Sequence, residues 1–142
     1  MIDVEQVEAA RKRVFAPLER GEGIHWLEFE KTIQWIVSYY VGVARSGPLI
    51  RRGLELLDQL KTRFMNQLKA ANLHELMRCL EAQNIILTAE AHMRAALERR
   101  ESRLGISHYR VDYPETDDVN WGRPIVIKNV DCLLYTSDAA DE

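Results

Sequence analysis

The sequence predicts an all-α fold: an up-and-down helical bundle with an extra N-terminal helix before it and an irregular C-terminal tail ending in one strand after it. Three observations carry that expectation. Apolar residues recur at spacings of three and four through most of the first hundred positions, glycine- and proline-containing breaks separate the periodic runs, and beyond Arg100 the periodicity stops. A chain of 142 residues can bury about two-thirds of the surface its unfolded form exposes, enough for one core.

Asp3 is placed to cap a first helix running to about Leu18, with Val4, Val7, Val14 and Leu18 on one face, and Gly21-Glu22-Gly23 ends it. In the second helix Trp26, Phe29, Ile33, Ile36, Tyr40 and Val43 alternate spacings of three and four, the seam of a packed bundle helix. Ser46-Gly47-Pro48 interrupts the pattern, because proline fits only the first turn of the helix that follows. The third helix carries Ile50, Leu54, Leu57, Leu60, Phe64 and Leu68. Asn72 with Glu75 forms a capping-box-like start for the fourth, led by Leu73, Leu76 and Leu80. This helix is expected to reach about Arg100, roughly 42 Å. Its consecutive Ile85, Ile86 and Leu87, among Ala82, Ala89, Ala91, Ala95 and Ala96, suit a helix approached from several sides, either by missing domains or as the centre of a four-helix bundle.

Residues 101–124 are charged, aromatic and aperiodic, longer than the ~15 residues usual for a structureless loop. Ile125 to Val130 reads as a strand, whose partner is expected in a missing domain or another chain. Having no apolar seam, the tail is expected to be unprotected beyond about Ser102. Tyr109, Tyr113, Trp121 and the Ile85 to Leu87 run are expected to bury against missing domains, and to drive self-association when bare.

The 19 basic and 22 acidic residues are intermixed, net charge −3, and offer no broad basic face for nucleic acid. No apolar run approaches the length of a membrane span. The common nucleotide-binding and nucleophile motifs are absent, and His25, His74, His92 and His108 have no metal-ligand spacing. Cys79 reads as a small core residue.

One region mixes guanidiniums, carboxylates and a histidine: Arg99, Glu101, Ser102, Arg103, Gly105, His108, Arg110, Asp112 and, further on, Asp117, Asp118 and Trp121. Arg103 and Arg110 can form bidentate pairs with carboxylates such as Glu101 or Asp112, and Gly105 permits a turn closed to other residues. Two interpretations stand: a polar network pinning an irregular segment, which is favoured, and a site for an anionic substrate touched directly by His108 and Arg110.

The run R-x-E-S-R, then Gly105, His108, Tyr109-Arg110 and Asp112-Tyr113-Pro114-Glu115, with Asp117-Asp118 and Asn120-Trp121 after it, resembles the C-terminal region of the succinate dehydrogenase and fumarate reductase flavoprotein family, which includes L-aspartate oxidase and the adenylylsulfate reductase flavoprotein. The resemblance covers most of residues 24–130. It implies a three-helix, spectrin-like bundle and the C-terminal domain of an FAD-dependent oxidoreductase, cut from its flavin and capping domains, with a scaffolding and docking role. Leu104 and Ile106-Ser107 lengthen the family's E-S-R-G-x-H, and Gly122-Arg123-Pro124 stands where a Lys-His pair often follows, departures that favour the adenylylsulfate reductase-like branch or an uncharacterised paralogue over succinate dehydrogenase proper. FAD would belong to the intact parent. No catalytic, cofactor-binding or metal residue maps onto this chain. The implied partners are the upstream FAD-binding and capping domains, with room for an iron–sulfur subunit, and the expected compartment is the cytoplasm. The alternative is a freestanding helical interaction module whose strand adds to a partner's sheet.

The expected organisation is a connecting helix and turn (1–23), a helical bundle (24–101), a docking tail (102–131) and a terminal segment (132–142) that resembles a translated sequencing adapter. Excluding that segment removes Asp138, Asp141 and Glu142, leaves the remainder electrically neutral and makes Cys79 the sole cysteine. On this expectation Met1 can be an internal methionine of a longer protein.

Overall fold

The computed structural model describes residues 3–130 and 133–138. Helix α1 spans Val4–Glu19 and begins where Asp3 Oδ1 accepts from the Glu5 and Gln6 amides at 3.0 and 3.3 Å. Its expected apolar face is mostly bare: Val4 and Val7 are 71% and 51% exposed, and only Pro17 is buried. The reason is that α1 docks through its last turn alone, where the Pro17 carbonyl, left without a helical partner, accepts from the Ala70 amide at 2.8 Å.

Strand β1 (Ile24–His25) leads directly into α2 (Trp26–Tyr40), and the His25 ring caps that helix by accepting from the Leu27 amide. Strand β2 (Ala44–Arg45) precedes α3 (Gly47–Phe64), which Ser46 caps and Pro48 enters in its first turn. A 3-10 turn (Met65–Gln67) and β3 (Leu68–Lys69), parallel to β1, lead to α4 (Leu73–Glu98). There Asn72 Oδ1 accepts from the Glu75 amide and Glu75 Oε2 from the Ala71 amide, at 3.0 and 2.9 Å. Two seam positions fall outside their helices: Val43 is exposed in the turn after α2, and Leu68 is buried in β3.

Helices α2, α3 and α4 each pack on the other two. Their shared core holds Phe29, Ile33 and Ile36 from α2, Ile50 and Leu57 from α3, and Leu76, Cys79, Ala82, Ile86, Ala89, Met93 and Ala96 from α4. The three alanines, seven residues apart, let neighbouring backbones come close. Gly53 does the same on α3: a Cβ there would run into Met93 Cε and come within 2.6 Å of Tyr40 Cβ. Ion pairs tie the rim, with Glu90 of α4 held by Lys61 of α3 at 2.9 Å and Arg78 of α4 by Glu30 of α2 at 3.0 Å. Of the Ile85 to Leu87 run, Ile86 is fully buried, Ile85 partly so and Leu87 43% exposed, so its middle belongs to the internal core.

Beyond α4 come a 3-10 turn (Gly105–Ser107), β4 (Tyr109–Arg110), a single turn α5 (Asp118–Trp121), β5 (Ile125–Val130) and β6 (Leu133–Asp138). Two expectations change here. The tail does not leave the bundle, because β4 pairs in parallel with β2 in register Ala44↔Tyr109 and Arg45↔Arg110. Nor does it end in one unpartnered strand. β5 pairs antiparallel with β6 from Ile125↔Asp138 to Val130↔Leu133, and this hairpin lies along α4. The backbone donors and acceptors of β5 thus find partners within the chain. Of the segment read as an adapter, residues 132 and 139–142 lie outside the described residues, as does any pairing of Cys132. No described helix is long and apolar enough to cross a membrane.

Candidate functional site

The last turn of α4 leaves carbonyls with no helical donor and concentrates the negative end of the helix dipole. Arg110 answers both. Its Nη1 donates to the Ala96, Leu97 and Arg99 carbonyls at 2.8, 3.0 and 3.0 Å. Its Nε and Nη2 fork onto the two carboxylate oxygens of Asp112, each at 2.8 Å. Asp112 Oδ2 also accepts from the Gly47 amide at 2.8 Å, so one ion pair joins the C-terminus of α4 to the N-terminus of α3. Gly47 suits this close approach, since a Cβ would meet Asp112 Oδ2 at 3.2 Å and Arg110 Nη2 at 3.3 Å. The Arg110 guanidinium also lies over the Tyr113 ring, 5.2 Å from its centroid, and the residue is 1% exposed.

Ser102 and Glu101 hold the next layer. The Ser102 hydroxyl accepts from the Arg110 amide at 2.9 Å and donates to the Tyr113 carbonyl at 2.8 Å, while the Ser102 amide donates to the Glu115 carbonyl. Glu101, with no exposed surface, accepts four bonds: from Arg99 Nη1 (2.7 Å), Arg103 Nε (2.8 Å), Arg103 Nη2 (2.9 Å) and the Asp117 amide (2.9 Å). Those donors, Arg103 first, hold its carboxyl down to about 2, and the Arg110 fork does the same for Asp112, also to about 2. Arg103 reaches on to Asp118 at 2.7 Å, and Arg99 to the Trp121 and Arg123 carbonyls at 2.8 Å each. Trp121 is partly buried, with the Arg99 guanidinium 5.9 Å from its ring centroid.

His108 sits between Arg45 Nη1, 3.0 Å from its Nδ1, and the Arg99 carbonyl, 3.2 Å from its Nε2. A guanidinium can only donate, so Nδ1 accepts and Nε2–H donates, which makes the ring neutral. Burial is the main cause that pushes its pKa below the ordinary histidine value; Arg45, Arg110 and Arg99 act in the same direction, against the bond to the Arg99 carbonyl. Between Arg103 and His108 the chain reverses through two left-handed residues, Leu104 at φ +56° and Gly105 at φ +58°. Gly105 adopts that conformation without penalty; Leu104 does so at a cost and stays 80% exposed.

Every sequence-selected residue therefore falls in one connected region. Arg103 pairs with Glu101 and Arg110 with Asp112, and no described buried side-chain nitrogen or oxygen is left without a partner. Sequence inspection missed Arg45 and Gly47, which meet this region from 63 and 65 positions away. No local pattern marks either as a partner of the tail. Among the described residues no group of three or more metal-ligating side chains is gathered.

The family described as "Fumarate reductase flavoprotein C-term" matches residues 30–133. An uncharacterized FAD-dependent oxidoreductase from Methanocaldococcus jannaschii is 33% identical over 89 residues, 63% of this chain and 16% of that protein. The adenylylsulfate reductase subunit alpha of Megalodesulfovibrio gigas is 36% identical over 76 residues, 54% of this chain and 11% of that subunit. The solved adenylylsulfate reductase from the hyperthermophile Archaeoglobus fulgidus superposes with a TM-score of 0.89 at 31% identity, covering 96% of this chain and 24% of that one. The chain thus spans less than a quarter of each of these proteins. A match over most of its length, running from α2 through the Arg110–Asp112 network, establishes that the chain belongs to the fumarate reductase flavoprotein C-terminal domain family.

Proposed function

We propose that the chain scaffolds and docks within a larger FAD-dependent oxidoreductase and does no chemistry of its own. The observation that carries this reading is the occupation of its buried charges. Arg110 spends its donors on Asp112 and on the end of α4, and Glu101 accepts four bonds from the tail it anchors. A group committed in this way has nothing left for a substrate, so Arg110 is a positioning residue and His108 the spacer between Arg45 and the α4 terminus. Glu101, Ser102, Arg103, Gly105, Asp112 and Trp121 share that structural role.

The partners are the parent's FAD-binding and capping domains, and the flavin is theirs. Large apolar side chains left at the surface, Trp35 (58% exposed), Tyr39 (63%) and Ile106 (75%), are available for such contacts. A further subunit, with an iron–sulfur protein the candidate that family resemblance implies, is supported by the designation of the M. gigas relative as a subunit alpha. The TM-score of 0.89 to the A. fulgidus adenylylsulfate reductase supports the adenylylsulfate reductase-like branch, and a cytoplasmic setting suits such an enzyme. Titration of the chain with FAD, followed by quenching of flavin fluorescence, tests the proposal. No stoichiometric binding is expected, and tight one-to-one binding would overturn it.

A further inference from the structure

Arg45, Arg99, Arg103 and Arg110 lie at this end of the bundle, and the last three face a carboxylate: Arg99 and Arg103 share Glu101, and Arg110 holds Asp112. Arg45 has no carboxylate within ion-pair distance among the side chains described for residues 3–128. It is half-buried, with Nε on the Gly42 carbonyl and Nη1 on His108 Nδ1, both at 3.0 Å. Both acceptors are neutral. Burial and the nearby charge of Arg110 pull its pKa below the ordinary guanidinium value. A cation partly removed from water is costly unless an opposite charge offsets it.

Arg45 opens onto a cleft of about 380 Å³ between α4 and the turn that follows it. The described polar side chains around the cleft are Arg45, His92, Arg99, Arg103, Ser107 and His108, with no carboxylate among them. His92 and the Ser107 hydroxyl take no hydrogen bond from the protein among the described residues. Burial first and then the charge of Arg45 lower the His92 pKa, and Arg45 acts in the same direction on His108.

We propose that this cleft binds an oxyanion, a carboxylate or phosphate group, with Arg45 as its charge partner and His92 and Ser107 as donors beside it. An oxyanion matches the planar guanidinium fork and supplies the missing negative charge. The anionic ligand that the sequence suggested for Arg110 thus goes to a cation that is free to meet it. The proposal is one of binding alone. It is independent of the scaffolding role, which stands whether or not the cleft is filled.

The test is an NMR titration of the full chain with inorganic phosphate and, separately, with acetate, at an ionic strength held constant with sodium chloride. The Arg45 Nε–H and the ring nitrogens of His92 and His108 are followed. Saturable shifts at millimolar anion are expected, with both histidine titration midpoints rising by about half a pH unit as the bound charge offsets Arg45. Arg45→Gln should weaken binding at least tenfold, while Arg45→Lys, which keeps the charge and loses the fork, weakens it less. The Gly47 and Arg110 amide shifts report whether these variants keep the fold. His92→Ala combined with Ser107→Ala removes no side-chain hydrogen bond among the described residues and should weaken binding several-fold, so the outcome does not hang on Arg45 variants alone. Phosphate binding tenfold tighter than acetate identifies a free phosphate-bearing ligand. Comparable affinities identify a carboxylate, such as an acidic side chain of an adjoining domain. Shifts that are linear and equal to those of chloride, or saturable binding unchanged by Arg45→Gln or by the double alanine variant, would overturn the proposal.

Discussion

The bundle and its tail are held by different physics. In the core, Phe29, Ile33, Ile50, Leu57, Ile86 and Met93 are stabilised by contact area, about 1.5–3 kcal/mol for each large side chain buried, and neighbouring contacts can relax when one is lost. Between Arg99 and Asp118 the chain is held by directional, charge-assisted bonds converging on two carboxylates and one buried guanidinium. Area-based cohesion degrades gradually, whereas a buried polar network loses everything its missing member satisfied. A small residue in the core and a charged residue in the tail should therefore respond to substitution very differently.

The largest effect is expected from Arg110→Met. It leaves the partly exposed Asp112 without its guanidinium and three α4 carbonyls without the donor that satisfied them, and each buried group left unsatisfied costs about 1–3 kcal/mol. Urea unfolding should show that loss, and a change under 1 kcal/mol would put the network on the periphery of stability.

Acid should act on the same two anchors. Glu101 and Asp112 are held to about 2 in the folded chain and titrate near 4 when unfolded. The unfolded state therefore binds more protons as pH falls through that interval. Their stabilisation is fully present above about pH 5 and is lost progressively toward pH 2. Thermal unfolding across that range should show a steep decline for the chain and a shallower one for Glu101→Gln.

In the bundle, Gly53→Ala forces a methyl group against Met93 and Tyr40. Overpacking of this kind costs about 1–3 kcal/mol, and the tail's own hydrogen bonds should be unaffected. Asn72→Ala, which removes the cap on the Glu75 amide, should cost about 1 kcal/mol, the smallest change of the four, readable as a small shift in urea midpoint.

This contrast also explains what could be read in advance. Seams such as Phe29-Ile33-Ile36 and caps such as Asn72-Glu75 are local and periodic, so the four long helices and their breaks were legible. Within the network, Glu101 with Arg103 and Arg110 with Asp112 lie two residues apart and were equally open to inspection. Arg45 and Gly47 were not, because the contact that recruits them is a two-residue parallel pairing of Ala44-Arg45 with Tyr109-Arg110, too short to leave a pattern. The bare face of α1 escaped for a related reason: its periodicity marks an apolar side without saying what covers it.

Hydrogen exchange measured residue by residue tests the central claim, that the tail is an integral, network-locked part of the domain. The Ser102, Arg110, Val111 and Asp117 amides donate to the Glu115 carbonyl, Ser102 Oγ, the Arg45 carbonyl and Glu101 Oε2. They should exchange as slowly as the core amides of α2 and α4, and should lose that protection selectively in Arg110→Met under conditions where the helices stay folded. Exchange of those four amides at unprotected rates in the unaltered chain, beside protected helices, would contradict the account and return the tail to a segment that orders only against another domain.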